Sequence, residues 1–143
     1  MAYTNVIFDT FIKGIETILR AEFKTAAVVY IAEEPKNQGR ASIRIWPEED
    51  NAFEAVDPPF LAIAQEYRYS ADIVVALPKG QTMIKTTDQR LEVLSRALRI
   101  LNDNQNYSPS SVYKWHDGAG DEGEKTEEGW KFIYSATVVE PIA

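Results

Sequence analysis

Apolar residues recur at three- and four-residue steps in two stretches of the chain and at two-residue steps in several others. The first helical stretch places Phe8, Phe11, Ile12, Ile15, Ile18, Leu19 and Phe23 on one side over residues 5–23. Thr4 or Asn5 can cap its start, and Asp9/Lys13 and Glu16/Arg20 form acid-first pairs four apart. Gly14 in the interior implies close packing or bending there. Val6 and Ile7 widen the stripe enough to cover a sheet and still meet a neighbouring subunit. The second helical stretch starts after Thr87 or Asp88 and carries Leu91, Leu94, Leu98 and Leu101, until residues 102–109 stop it.

Strand patterns fill the rest. Residues 26–32 form a continuous apolar run that predicts a central strand covered on both faces. The turn-rich segment 33–39 leads into the alternation Ala41, Ile43, Ile45, so the two strands are expected to form a hairpin. Residues 47–59 are acidic and bounded by prolines, which predicts a projecting surface loop. A long strand alternates Tyr67, Tyr69, Ala71, Ile73, Val75 and Leu77 against Arg68, Ser70 and Asp72. A short aromatic strand over 112–116, the loop 117–129 and a strand through Trp130, Phe132, Tyr134, Ala136 and Val138 complete the chain. Neighbouring strands mostly lack a helical crossover. The expected fold is α+β in a single domain over 1–143, a mainly antiparallel sheet of about four to five strands with two main helices on one face.

Composition then narrows the chemistry. A chain of 143 residues with 45% hydrophobic and 26% charged residues suits one ordinary core. With no Cys and only His116, disulfides, thiolate nucleophiles and Cys- or multi-His metal sites fall away. The net charge of −7 disfavours phosphate-backbone binding. No apolar run approaches the length of a membrane span, and the N-terminus has no signal-like core, so a soluble intracellular protein without a membrane partner is expected.

The acids concentrate in loops. Residues 117–128 hold six of them, Asp117, Asp121, Glu122, Glu124, Glu127 and Glu128, against Lys125. Asp117, Asp121 and Glu128 match positions 1, 5 and 12 of a calcium loop, but Ala119 and Glu122 break the pattern at positions 3 and 6, and strands flank it. A solvated hairpin tip or an electrostatic partner contact fits better. His116 beside this loop has no nucleophile motif to activate and fits a strand-end histidine. Asp72, with Arg68 and Arg44 on neighbouring strands, fits a cross-strand ion pair better than a catalytic carboxylate pair. The scattered glycines make no phosphate loop, and no metal or other cofactor is expected. Tyr67, Tyr69, Trp115, Trp130 and their aromatic neighbours could line a pocket, but strict alternation favours core and subunit-interface packing.

The order of the segments resembles a known family. An N-terminal amphipathic helix, the strand AAVVYIA, an acidic proline-bounded loop, a long strand ending ADIVVALP, the helix RLEVLSRALRILNDN and the aromatic strand GWKFIYSATVVEPI together resemble the tail terminator and tail-completion proteins of tailed bacteriophages. The resemblance rests on layout and size over nearly the whole chain. It implies a non-enzymatic virion protein, assembled in the host cytoplasm, that closes as a ring, usually a hexamer, on the tail tube and joins it to the head or neck proteins. DNA would pass through such a ring without sequence-specific binding. Partner contacts are then expected from Phe8, Phe11, Ile15, Trp46, Phe53, Tyr67, Tyr69, Trp115, Asp121, Glu122, Glu124 and Trp130. Alternatives are another neck or head-completion connector, a generic dimeric adaptor, or a small ligand-binding or enzyme domain with a pocket under the aromatic strands.

Overall fold

The structure, a computed structural model, describes residues 5–36, 40–56, 64–76, 83–108, 113, 115–120, 123–126 and 128–141. Chain order is a π-helical segment Ile7–Ile12 running into α1 (Lys13–Phe23), β1 (Val28–Ile31), β2 (Ser42–Pro47), β3 (Phe53–Ala55), β4 (Ala64–Ala76), α2 (Met83–Asn102), β5 (Trp115–Ala119), β6 (Glu124–Lys125) and β7 (Trp130–Pro141). The class is α+β, and the sheet has seven strands rather than four or five. Its path is β1-β2-β4-β7-β5, with β3 beside β4 and β6 beside β7. The two extra strands are short ones, each placed on a long strand where a projecting loop was expected.

The first helix starts where the Asn5 side chain accepts the Phe8 amide proton at 3.2 Å. Its π-type i→i+5 turns bring the adjacent Phe11 and Ile12 both into the core, ahead of Ile15 and Leu19. Gly14 is explained by close approach, because a Cβ there would meet the Trp115 indole at 2.8 Å.

β4 and β7 form the spine, antiparallel in register from Ala64↔Pro141 to Val75↔Trp130. Strand periodicity sends Tyr69, Ala71, Ile73 and Val75, with Phe132, Tyr134, Ala136 and Val138, to one face, where they join buried residues of both helices in one core. Trp115, from the end strand β5, packs into this core with its ring 5.4 Å from Phe11 and 4.9 Å from Tyr107. The Tyr134 hydroxyl donates to the Leu101 carbonyl at 3.1 Å, and burial pushes its pKa up. The helices are joined by Arg96, which donates to Glu22 at 2.9 Å and lies over the Phe23 ring.

Two expectations about β1 are overturned. It runs parallel to β2 rather than forming a hairpin, and it lies at the end of the sheet path rather than in the centre. A strand of four residues is only about 13 Å long. The connection 32–41 is therefore long enough to return along it. The apolar run looks central because both faces are covered locally. Val29 packs on the core, while Tyr30, on the other face, is covered by the turn after it, where the Lys36 amide donates to its hydroxyl at 3.1 Å.

Candidate functional site

With the helices on one face, the opposite face of the sheet is left bare of helix among the described residues and carries a polar grouping built on Arg44. Its centre follows from register. Arg44 on β2 opposes Val74, Trp46 opposes Asp72, and Val74 and Asp72 in turn oppose Lys131 and Ile133 on β7. Arg44 is tied on all sides. Its Nε and Nη2 donate to the two Glu128 carboxylate oxygens at 3.0 and 2.7 Å, and Nη1 donates to the carbonyls of Ala32 and Glu33 at 3.0 and 2.9 Å. This fork pins three separate segments together and is mostly shielded, with side chains 13% and 17% exposed. The Glu128 hydrogen bond holds the Arg44 guanidinium charged, raising its pKa.

Glu128 is placed by hydrogen bonds between the residues on either side of it, Thr126 and Gly129. The Thr126 amide donates to the Gly129 carbonyl at 2.7 Å, and the Gly129 amide donates to the Thr126 hydroxyl at 3.1 Å. Only glycine fits at 129, since a Cβ would come within 1.9 Å of the Val75 carbonyl oxygen. The described residues of the acidic segment 117–129 are largely tied to the rest of the chain. Asp117 to Ala119 belong to β5, Glu124 and Lys125 pair with β7, and the Asn102 amide both donates to and accepts from the Gly120 backbone at 3.2 and 3.3 Å.

Asp72 departs from the expected ion pair, because Arg44 is committed to Glu128. Its Oδ1 is buried and accepts no hydrogen bond among the described residues. Burial raises its pKa, against the lowering effect of Lys131 and Arg44 and with a further raise from Glu48 and Glu49. Around it runs an open groove of about 600 Å³ bordered by Glu33, Glu34, Glu49, Glu128 and Lys131. A second, apolar groove of about 270 Å³ lies between α2 and Gly123, with Leu94 and Leu98 on its wall, Phe132 on its floor and Ser95 as its polar side chain. His116 sits half-buried at the far end of the sheet, its Nδ1 2.9 Å from an Asp117 carboxylate oxygen and its Nε2 3.9 Å from Glu66.

The residues expected to touch partners separate by depth. Phe11, Ile15, Tyr69 and Trp115 are buried in the core of this chain and present nothing to a neighbour. The physical reason is that the aromatic side of the strands is the side the helices cover. Phe8, Trp46, Tyr67 and Trp130 are half-buried, and only Phe53 and Glu124 are exposed. Asp121 and Glu122 lie outside the described residues. The pairing of Glu128 with Arg44 and the clasp made by Asn102 were not anticipated. The only hint of them is an arginine in the middle of an apolar strand and a polar amide ending a helix beside a glycine-rich loop. The chain matches no protein-family model and no curated protein sequence.

Proposed function

We propose that this chain is a structural assembly protein, a tail terminator that closes as a ring on the phage tail tube and joins it to the head or neck. The observation that supports it is the display of large apolar side chains on three separate surfaces: Phe53 on β3, Ile133 on the helix-free face and Leu91 on α2, 60%, 40% and 42% exposed. Rings close by heterologous contacts, in which each subunit offers two different surfaces. A subunit with apolar groups on several chemically distinct surfaces has the equipment for that. The layout of segments gives the family its place in the proposal, and the acidic rim of the bare sheet face suits a duct through which DNA passes without sticking. Tube protein, neck proteins and further copies of the chain are the partners, the virion is the location, and no catalytic group is assigned. Size exclusion with light scattering, followed by negative-stain imaging alone and with tail tube protein, tests the proposal. Ring-shaped particles are the expected outcome. A strictly monomeric species even with tube protein present overturns it.

A further inference from the structure

The outer strands of the sheet differ in how their unpaired backbone groups are treated. On β1, the outward carbonyl of Val29 accepts from Arg20 Nε and Nη2 at 3.2 and 3.1 Å, so a side chain already engages an outward acceptor of that edge. On β5, a register shift between His116 and Ala119 and the positive φ of Asp117 break the edge, and Asn102 clasps its end at Gly120. β3 has no such guard among the described residues. The Ser70 amide donates to the Ala52 carbonyl and the Val56 amide donates to the Glu66 carbonyl, both at 2.9 Å. Antiparallel alternation therefore turns the N–H and C=O of Phe53 and Ala55 away from β4. All three β3 residues are exposed, and the Phe53 ring stands edge-on to Tyr67 with its outer surface open.

Charge says what can pair there. Residues 48–56 contain Glu48, Glu49, Asp50 and Glu54 and no Lys or Arg. A second copy carries the same acidic edge and a net charge of −7, so edge-to-edge pairing of two copies is repelled. We propose that β3 is a docking edge that takes an extended, Lys- or Arg-bearing segment of a partner protein as an added strand. The outward groups of Phe53 and Ala55 supply the main-chain ladder, Phe53 packs against an apolar side chain of the segment, and the acids flanking it select its basic residues. The surface works in a ring subunit and in a monomer alike.

The test titrates the isotope-labelled full chain with a blocked seven-residue peptide alternating Lys and Val, and with an analogue of equal charge N-methylated at every residue. The unmethylated peptide is expected to shift the Phe53 and Ala55 amides and slow their hydrogen exchange, and the analogue to bind at least tenfold more weakly. Ala55→Pro removes only an outward donor, a place where an edge strand tolerates proline, and is expected to weaken binding at least tenfold. Phe53→Ser, which leaves the backbone untouched, is expected to weaken it several-fold. Equal binding of the methylated analogue, shifts confined to the groove at Asp72, or an Ala55 amide already protected by self-association would each overturn the proposal.

Discussion

On the helix-covered face of the sheet, Phe11, Trp115 and Tyr134 lie ring against ring with centroids 5.4 to 6.3 Å apart, and each polar atom of Trp115 and Tyr134 has a backbone carbonyl to meet. On the other face the sheet presents Arg44 of β2, Asp72 of β4 and Lys131 of β7 to an open groove, and one Asp72 carboxylate oxygen is buried without a donor among the described residues. The strands are shared, so the difference comes from what each face meets. Helices supply apolar area that makes close packing stabilising. The closest matches on the bare face among the described residues are polar, the Arg44–Glu128 fork and the Ser70–Ser135 hydroxyl pair at 2.8 Å. Stability should therefore depend chiefly on the covered face, while the other, away from the fork, is freer to change.

Substitution of Trp115 by Ala tests that division most severely. It removes a side chain that is 1% exposed and leaves a cavity between α1 and the sheet, so a loss of about 3–5 kcal/mol is expected in urea unfolding. Ile133→Ser on the bare face should stay within about 0.5 kcal/mol of wild type. Comparable losses at the two positions would abolish the contrast. The fork comes next. Arg44→Met strands Glu128 and the Ala32 and Glu33 carbonyls together, and a loss of about 2–3 kcal/mol is expected, with Glu128→Gln less costly because amide and guanidinium still meet. A double-mutant cycle over Arg44 and Glu128 should show a coupling of about 1–2 kcal/mol, and additive losses would mean that the pair contributes no more than its separate hydrogen bonds.

Much of the covered face was legible in the sequence because periodicity reports directly on it. The three- and four-residue steps of both helices and the two-residue alternation of β4 and β7 name most of the residues that the core buries, although Leu91 of the second helical stripe is exposed. The edges were less legible. An apolar run covered by a core on one side and by its own turn on the other, as at Tyr30, carries the same pattern as a central strand. The bare face was the least legible, since its organisation rests on partners far apart in sequence. Arg44 and Glu128 are separated by 84 positions, and nothing local to either announces the other. The same separation diverted Arg44 from Asp72, and Phe53 reads as a loop residue until β4 is seen to give it a strand to join.

Asp72 gives the smallest effect and the finest separation of the two faces. Its folded-state pKa is raised above the ordinary value of 3.8, chiefly by burial. In the interval between those two values the folded chain binds more protons than the unfolded one, so stability falls as pH rises through it and the full cost is present above it. Glu48 and Glu49 oppose ionisation of Asp72 while Lys131 and Arg44 favour it, and the net direction shows that burial prevails. Asp72→Asn keeps the shape and removes the charge. Near neutral pH the variant is expected to melt about one or two degrees higher than wild type, and the gap should close as pH falls below the ordinary aspartate range. A gap of the opposite sign at neutral pH would mean that Lys131 and Arg44 stabilise the Asp72 carboxylate by more than its burial costs, and the bare face would then contribute to stability through Asp72 as well as through the fork.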